Sequence, residues 1–573
     1  MACEIEFGPD DLTGGSRYAA ILLAAATILC LIPWLNRGFD IDEPLFLWSA
    51  EQILRDPLDF YGGQLNWYGT DLRFCDVIKN PPLNAYYLAA VGALTGFREV
   101  PLHLAMLVWS VALIVGTYCL AARLCDRPAL AAAVTLATPA FLVSSLSVMC
   151  DVPMVALWVW ALFFWLRGVD DRRPVSLAIA CCLMAICALT KYFGVALVPL
   201  ALVYGLAQRR NIGGWMAWLV IPLGVSAAFE VYLRDKYGTG AFLDAAGYAR
   251  TAVAGNALGF FGRGYITLLF TGGSLLPVLL FAPLVWSQRQ LFAWAAIGLA
   301  TGCTLVVAGE IVTGNAENYP LRTNAGVHWG TLLQTICLTL AALQLLALVV
   351  LDVWSKRDAV ALLLALWVFG TLLFAGWFNW SINVRSILPA APAAAMLIAR
   401  RLQLRTRHAR AVDSRRATWS DWLPLPLALA IALALGWADY RSANANRAAA
   451  RVLISRYSRH VTGSDLWFCG HWGLQYYLQQ AGAKPINLHG SDVYEGSVIV
   501  VPDDNPGGVE VPENWNLRET IEEPLAGWLT TISLDEQVSF YSSVLGPVPF
   551  YFGAVPPRQF RVYDPFQIGG SRR

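Results

Sequence analysis

Residues 18–35 read YAAILLAAATILCLIPWL, and residues 36–46 continue as NRGFDIDEPLF. The first stretch is apolar and long enough to cross the hydrocarbon core of a bilayer at about 1.5 Å per residue. No small-residue cleavage site ends it, so it reads as a retained helix and not as a signal peptide. The second stretch sets Asp40, Asp42 and Glu43 at the mouth of that helix. A Lys79-Asn80-Pro81-Pro82-Leu83 turn closes the same polar loop, 38–82. Carboxylates held at the mouth of a helix bundle suit proton-transfer or cation chemistry at the bilayer surface. This loop is the expected seat of the active site.

The rest of the chain extends the same pattern. Of its 573 residues, 57 % are AVILMFWYC and only 14 % are Asp, Glu, Lys or Arg, where soluble domains hold about one quarter charged residues. Mean hydropathy is +0.51. Apolar runs fall at 18–36, 101–122, 128–148, 152–168, 174–190, 193–208, 213–232, 264–286, 290–312, 327–351, 358–377, 386–400 and 421–438. The expected fold class is a polytopic α-helical membrane protein with about thirteen transmembrane helices. Leu83–Gly96 is too short for a comfortable crossing and reads as a re-entrant or interfacial helix. A net charge of +1 with no basic groove gives no sign of nucleic acid.

Most of the twelve cysteines sit in apolar runs, where a thiol acts as a small hydrophobe. No CxxC or Cys/His cluster has metal-ligand spacing. Cys75, Cys150 and Cys469 fall on one expected face, which leaves a disulfide among them open.

The basic residues set the expected topology. A cytoplasmic N-terminus, residues 1–17, puts Arg123 and Arg127, Arg167, Arg172 and Arg173, Arg209 and Arg210, Arg289, Lys356 and Arg357, and the arginines of 400–416 on the inner side. Asp42, Glu43, Lys79, Asp151, Lys191, Glu230, Arg263, Glu310 and Arg385 then fall in outer loops or at outer helix ends. A charge inside a membrane helix costs at least about 2.5–3.5 kcal/mol on insertion scales, so these groups are expected to face water or one another. The expected domains are a transmembrane domain, 18–438, whose first external loop is 38–82, and a small external α/β domain, 440–573. Two further outer loops carry Asp244, Tyr248, Arg250 and Arg263, and Asn315, Glu317, Asn318 and Arg322.

Each charged motif supports two readings. Asp42-Glu43 suits a general base acting on a hydroxyl, and equally an acidic signal before the helix that opens at Pro44. Lys79 beside the rigid Pro-Pro turn suits an anion, or is an interfacial lysine. Asp151 reads as an acid or as a helix start. Lys191 is a candidate cation or a plain loop lysine. Arg385 opens a helix, where a cation is unfavourable to the dipole; an anionic partner would explain it. His103, His328 and His471 are dispersed, so no metal site is expected from them.

Asp42-Glu43, Pro81-Pro82-Leu83, Ala121-Ala122-Arg123-Leu124, Asp151, Leu189-Thr190-Lys191 and Arg385-Ser386-Ile387-Leu388-Pro389 stand in an order that resembles a known group. Over about residues 16–400 the chain is similar to the membrane-embedded C-type (GT-C) glycosyltransferases of the protein-mannosyltransferase and aminoarabinose lipid A transferase kind. The resemblance implies an inverting transfer of a sugar from a polyprenyl-phosphate donor to a lipid, glycan or protein acceptor at the outer face of the plasma (inner) membrane. It implies Asp42 as catalytic base, with Glu43 beside it, and Asp151 as a second acid. It implies Lys79 or Asn80 on the donor phosphate, with Lys191 and Arg385 as further phosphate-binding cations. Asn80 departs from the Lys or His usual before the prolines, and Ile78 stands where some relatives have a metal-binding Glu, so no metal or other cofactor is expected. Two readings compete: a secondary transporter or lipid flippase, which would place its ionisable groups near the midplane, and a catalytically dead relative.

Overall fold

The computed structural model describes residues 14–67, 69–240, 244, 247, 250–251, 259–313, 318–409, 419–463, 465–491, 493–494, 496–504, 511–513 and 515–565. Tyr248, Asn315, Glu317, Arg410, Arg415 and Arg416 lie outside the described residues.

Among the described residues, 8 helices are long and apolar enough to cross a membrane. Asp151–Asp170 is the central one, buried along nearly its whole length with Trp158 and Trp165 inside. It packs against Glu99–Leu124 and Pro174–Thr190. At the periphery, Gln288–Ala308 leaves Phe292, Leu299 and Val307 exposed. Bare apolar side chains on so continuous a helix face are those of a surface in contact with lipid. The chain is an integral membrane protein.

The apolar runs that do not form one long helix break for visible reasons. The 128–148 run becomes Pro128–Leu136 and Pro139–Ser144. Between them the Thr138 hydroxyl accepts the Phe141 N–H at 3.2 Å and caps a second start before a proline. The 264–286 run becomes Gly259–Ser274, Pro277–Leu280 and Ala282–Val285, interrupted where prolines remove a backbone donor. The short run after Pro82 forms the helix Leu83–Thr95, ended by Gly96 at φ 73°.

The sequence boundary at 440 falls inside one helix, Pro424–Arg456. Beyond it lies a five-stranded mixed sheet in the order 516–523, 558–564, 498–502, 466–468, 484–485. Its parallel strands are joined through the helix Trp472–Gln480. Leu466, Phe468, Val500 and Val562 pack on Ala449, Ala450 and Leu453 of the long helix. Trp467, Ile499 and Tyr563 fill the opposite face, as alternation along a strand requires. Residues 526–552 leave this sheet and join the core of the helix bundle through Leu529, Ile532, Phe540, Tyr541 and Phe550.

The loops sort into two ends. At one end the hairpin 64–73 binds the C-terminal part, with Gln475 donating to the Asn66 carbonyl at 2.8 Å and the Leu488 N–H to Gly69 at 2.8 Å. At the other end Arg123 meets Asp171 at 2.9 Å and Arg400 meets Asp352 at 3.0 Å. Loop 38–82 and the C-terminal part therefore share one side of the bundle.

Candidate active site

The helix Glu43–Arg55 begins at Asp42, which occupies its N-cap position without making a side-chain capping bond. The residue before it, Ile41, has φ 53°. A β-branched residue in the left-handed region is strained and persists only where its surroundings over-determine it. Its buried neighbours supply that constraint. Glu43 is fully enclosed and accepts from the backbone N–H of Asp40 and of Val148, each at 2.7 Å. The Arg37 guanidinium meets Glu43 at 2.6 Å and Asp439 at 2.9 Å. Asp40 accepts from the Asn446 amide at 2.8 Å and from the Gly473 N–H at 3.2 Å. Burial raises the carboxyl pKa of both Asp40 and Glu43, against the pull of Arg37.

With Asp40 and Glu43 anchored inward, Asp42 is the one carboxylate of the motif left facing the site, with a third of its side-chain surface exposed, 33 %. Arg385 Nη2 stands 2.9 Å from Asp42 Oδ2, and Arg385 Nη1 stands 4.0 Å from Asp151 Oδ2. Lys191 Nζ pairs with Asp151 Oδ1. Asp42, Arg385, Asp151 and Lys191 thus form a chain of alternating charge from four separate segments. Asp151 is nearly enclosed at 3 % exposure, at the first position of its helix, whose N-cap residue Cys150 makes no side-chain capping bond. Arg385 follows Asn383, whose side chain accepts the Ser386 N–H at 2.8 Å. Its other contacts are the Met149 sulfur and the Tyr541 ring, 5.4 Å to the centroid. Arg385 Nε is buried with no hydrogen-bond partner among the described residues.

The structure brings together four of the seven residues singled out from sequence. Glu43 is adjacent in sequence but turned inward, where no substrate reaches it. Lys79 and Asn80 are half-buried in the turn before Leu83–Thr95, and the Tyr61 hydroxyl donates to the Asn80 carbonyl. Among the described residues, no ion pair or side-chain hydrogen bond joins Lys79 or the Asn80 amide to the cluster. Arg263, read as an outer charge, is buried and donates to the Gly376 and Asn379 carbonyls at 2.7 and 3.0 Å, where it holds the end of a helix. Cys75, Cys150 and Cys469 are free thiols. Among the described residues no group of three His, Cys, Asp or Glu side chains is arranged to hold a metal.

Sequence reasoning missed Arg37, Asp439 and Tyr541. An acid at the end of the 421–438 apolar run was a signal for Asp439, because such a group needs a partner. Nothing local marks Tyr541.

An apolar cavity of about 230 Å³ opens between Trp158, Phe193, Leu200, Val203, Leu366 and Trp367. Phe193 lies two residues after Lys191. Trp158 lies two helical turns after Asp151 on the same face, about 10 Å along the axis.

Residues 79–232 match the family described as Dolichyl-phosphate-mannose-protein mannosyltransferase. No curated protein matches the chain. Among solved structures, ArnT from Cupriavidus metallidurans bound to undecaprenyl phosphate is 14 % identical, with 97 % of this chain and 100 % of that chain covered and a TM-score of 0.48. The Archaeoglobus fulgidus oligosaccharyltransferase in its apo form is 14 % identical, with 82 % and 64 % covered and a TM-score of 0.47. Arabinofuranosyltransferase AftD from Mycobacteria is 12 % identical, with 96 % and 42 % covered and a TM-score of 0.40. At such scores and identities these likenesses carry no argument about the chemistry of this chain. The family match takes in Lys79, Asn80, Asp151 and Lys191 and leaves Asp42 and Arg385 outside it. The likeness to that family spans residues 79–232, less than half of the chain.

Proposed function

We propose that this chain is an inverting glycosyltransferase that moves a sugar from a polyprenyl-phosphate carrier to a hydroxyl of an envelope lipid, glycan or protein. The observation that carries the reading is the Asp42–Arg385–Asp151–Lys191 array, with Asp42 open to the site and Arg385 Nε unengaged. The matched family is named for a polyprenyl-phosphate sugar, which supports the donor class. The apolar cavity below Lys191 suits the first isoprene units of the carrier.

In the resting protein Asp42 is paired with Arg385. An incoming donor phosphate competes for the guanidinium, which has a fork of donors to offer, and frees the Asp42 carboxylate. That carboxylate takes the proton of the acceptor hydroxyl as its oxygen attacks the anomeric carbon from the face opposite the phosphate. The bond from carbon to phosphate oxygen breaks, its electron pair stays on that oxygen, and the polyprenyl phosphate leaves. Arg385 and Lys191 meet the growing negative charge, so the scheme draws on no metal. One base suffices because no sugar–enzyme bond is made, unlike the retaining two-carboxylate scheme. Asp151 holds both cations in place. Lys79 is kept for the entry of the phosphate or its outer oxygens.

The proposed orientation has a cytoplasmic N-terminus, in the plasma (inner) membrane, with the site and the C-terminal part outside. A cysteine at Arg172 should resist an impermeant thiol reagent in intact cells, and one at Arg518 should react. The reverse result overturns the orientation. Mass spectrometry of envelope lipids and glycans from a strain lacking the gene identifies the sugar and acceptor. With those in hand, Asp42→Asn should bind donor yet transfer about 10²–10⁴-fold more slowly. Near wild-type transfer by that variant would falsify the base assignment.

A further inference from the structure

Arg385 is held from a direction that the sugar-transfer reading does not use. The segment that precedes it, 382–384, pairs with the C-terminal segment 540–543. The Val384 N–H donates to the Phe540 carbonyl at 3.1 Å, the Ser543 N–H to Ile382 at 2.7 Å, and the Ile382 N–H to the Ser543 hydroxyl at 3.0 Å. Ser539 fixes the turn by accepting the N–H groups of Tyr541 and Ser542, each at 3.1 Å. This pairing lays the Tyr541 ring against the guanidinium, with the carbon centre 5.4 Å from the ring centroid. That distance lies inside the range of a cation–π contact.

The other end of Tyr541 is also fixed. Its hydroxyl donates to Asp439 Oδ1 at 2.6 Å, and Thr531 donates to the same oxygen at 3.2 Å. Asp439 Oδ2 accepts from Arg37 Nε at 2.9 Å, and Arg37 continues to Glu43 at 2.6 Å. Burial first, and Asp439 second, push the phenol pKa well above its ordinary value, so the hydroxyl remains a donor. The path therefore runs from Arg385 through Tyr541, Asp439 and Arg37 to Glu43, next to Asp42. It closes a ring around the loop that presents the candidate base.

We propose that Tyr541, supplied by the C-terminal part of the chain, is a positioning residue that aims Arg385 at the donor phosphate and ties that aim to the loop carrying Asp42. An aromatic face suits this task better than a third carboxylate. It attracts the cation while accepting none of the in-plane N–H donors, so Nε stays open to a phosphate oxygen. It also confines a side chain whose free rotamers would otherwise be lost only on binding. The C-terminal part thereby becomes a component of the site.

This inference rests on the polyprenyl-phosphate reading, and the test separates the two. The probe is undecaprenyl phosphate, titrated into the purified full-length chain in nanodiscs, with thermal unfolding recorded alongside. Failure of the wild-type chain to bind the probe overturns the donor reading, and this inference with it. If the wild type binds, Tyr541→Leu should weaken affinity on the order of ten- to thirtyfold, and Tyr541→Phe by no more than about threefold. In an Arg385→Ala background, Tyr541→Leu should add nothing, because its effect passes through that guanidinium. Phenylalanines of increasing ring fluorination at position 541 keep the shape and drain the face of negative potential. Affinity should fall stepwise along that series at constant unfolding temperature. A flat series, or an equal loss from Tyr541→Leu with and without Arg385, overturns the inference.

Discussion

Arg385 Nη2 lies 2.9 Å from Asp42 Oδ2 although 343 residues separate them in the chain. The contact joins the first polar loop to the segment before the helix Ala391–Ala409. It explains an arginine at a helix start, where the dipole disfavours a cation. The guanidinium is committed to carboxylates on two sides and still keeps one buried donor without a partner.

Arg385→Ala removes the group that meets charge on the leaving phosphate. Loss of one such preorganised donor costs on the order of a hundredfold in turnover or more. Expression and membrane insertion should be little changed, because Arg385 joins no buried pair as enclosed as Arg37–Glu43. Arg385→Lys should restore only part of the rate, since a point charge cannot reproduce the fork. Initial rates with a saturating polyprenyl-phosphate sugar check both variants.

Lys191 is the second cation of the array and pairs with Asp151. Lys191→Met keeps its length and removes its charge. A hydrogen bond to a charged group contributes about 1.5–3 kcal/mol, so affinity for undecaprenyl phosphate should fall roughly ten- to a hundredfold. Asp151 keeps Arg385 nearby in this variant, so the unfolding temperature should fall less than with Asp151→Ala, which leaves two cations under-compensated. Titration and thermal unfolding of the two variants give the comparison.

Glu43 belongs to the frame and not to the chemistry. Glu43→Ala leaves the Arg37 guanidinium short of a partner and orphans the N–H groups of Asp40 and Val148. Removing one partner of a buried ion pair costs about 3–5 kcal/mol. Glu43→Ala should therefore show in yield and unfolding temperature. Glu43→Gln keeps the shape and one carbonyl oxygen, which can accept one of the two N–H groups, so it should be milder than alanine and keep most of its turnover per folded molecule. A Glu43→Gln protein that folds like wild type but transfers no sugar would put Glu43 in the reaction instead.

What the sequence disclosed divides along physical lines. Apolar runs report burial in lipid directly, so the membrane class and most helices are legible. Asp42, Asp151, Lys191 and Arg385 are legible as a group because charges at one end of a bundle must find water or each other. Their pairing order is not, since it depends on which way Ile41 and Glu43 turn the loop. The breaks in the 128–148 and 264–286 runs follow from prolines, which hydropathy averages over. Arg37–Asp439 joins positions 402 residues apart. Tyr541 reaches Arg385 only because residues 526–552 leave their sheet for the bundle, and no local pattern encodes that departure.

His471 makes part of the stability depend on pH. It occupies the N-cap position of the helix Trp472–Gln480 in the C-terminal part without a side-chain capping bond, with its ring 4.6 Å from that of Trp67 and 4.8 Å from that of Trp472. Burial lowers its pKa from 6.5 to about 3. The unfolded chain therefore takes up a proton between those values that the folded chain refuses. Stability linked to this group is fully present above pH 6.5 and is lost as pH falls toward 3. At about 1.4 kcal/mol per pH unit, the loss at pH 5 is about 2 kcal/mol. Asp40, Asp503 and Asp504 are shifted upward by burial. For these acids the folded chain holds the extra proton, so their contribution rises as pH falls and runs against that of His471. His471→Phe keeps an aromatic ring between the tryptophans and removes the titration. Its unfolding temperature should fall less than that of the wild type between pH 7.5 and 5. Parallel curves for the two proteins across that range would show that His471 takes up its proton alike in the folded and unfolded chains.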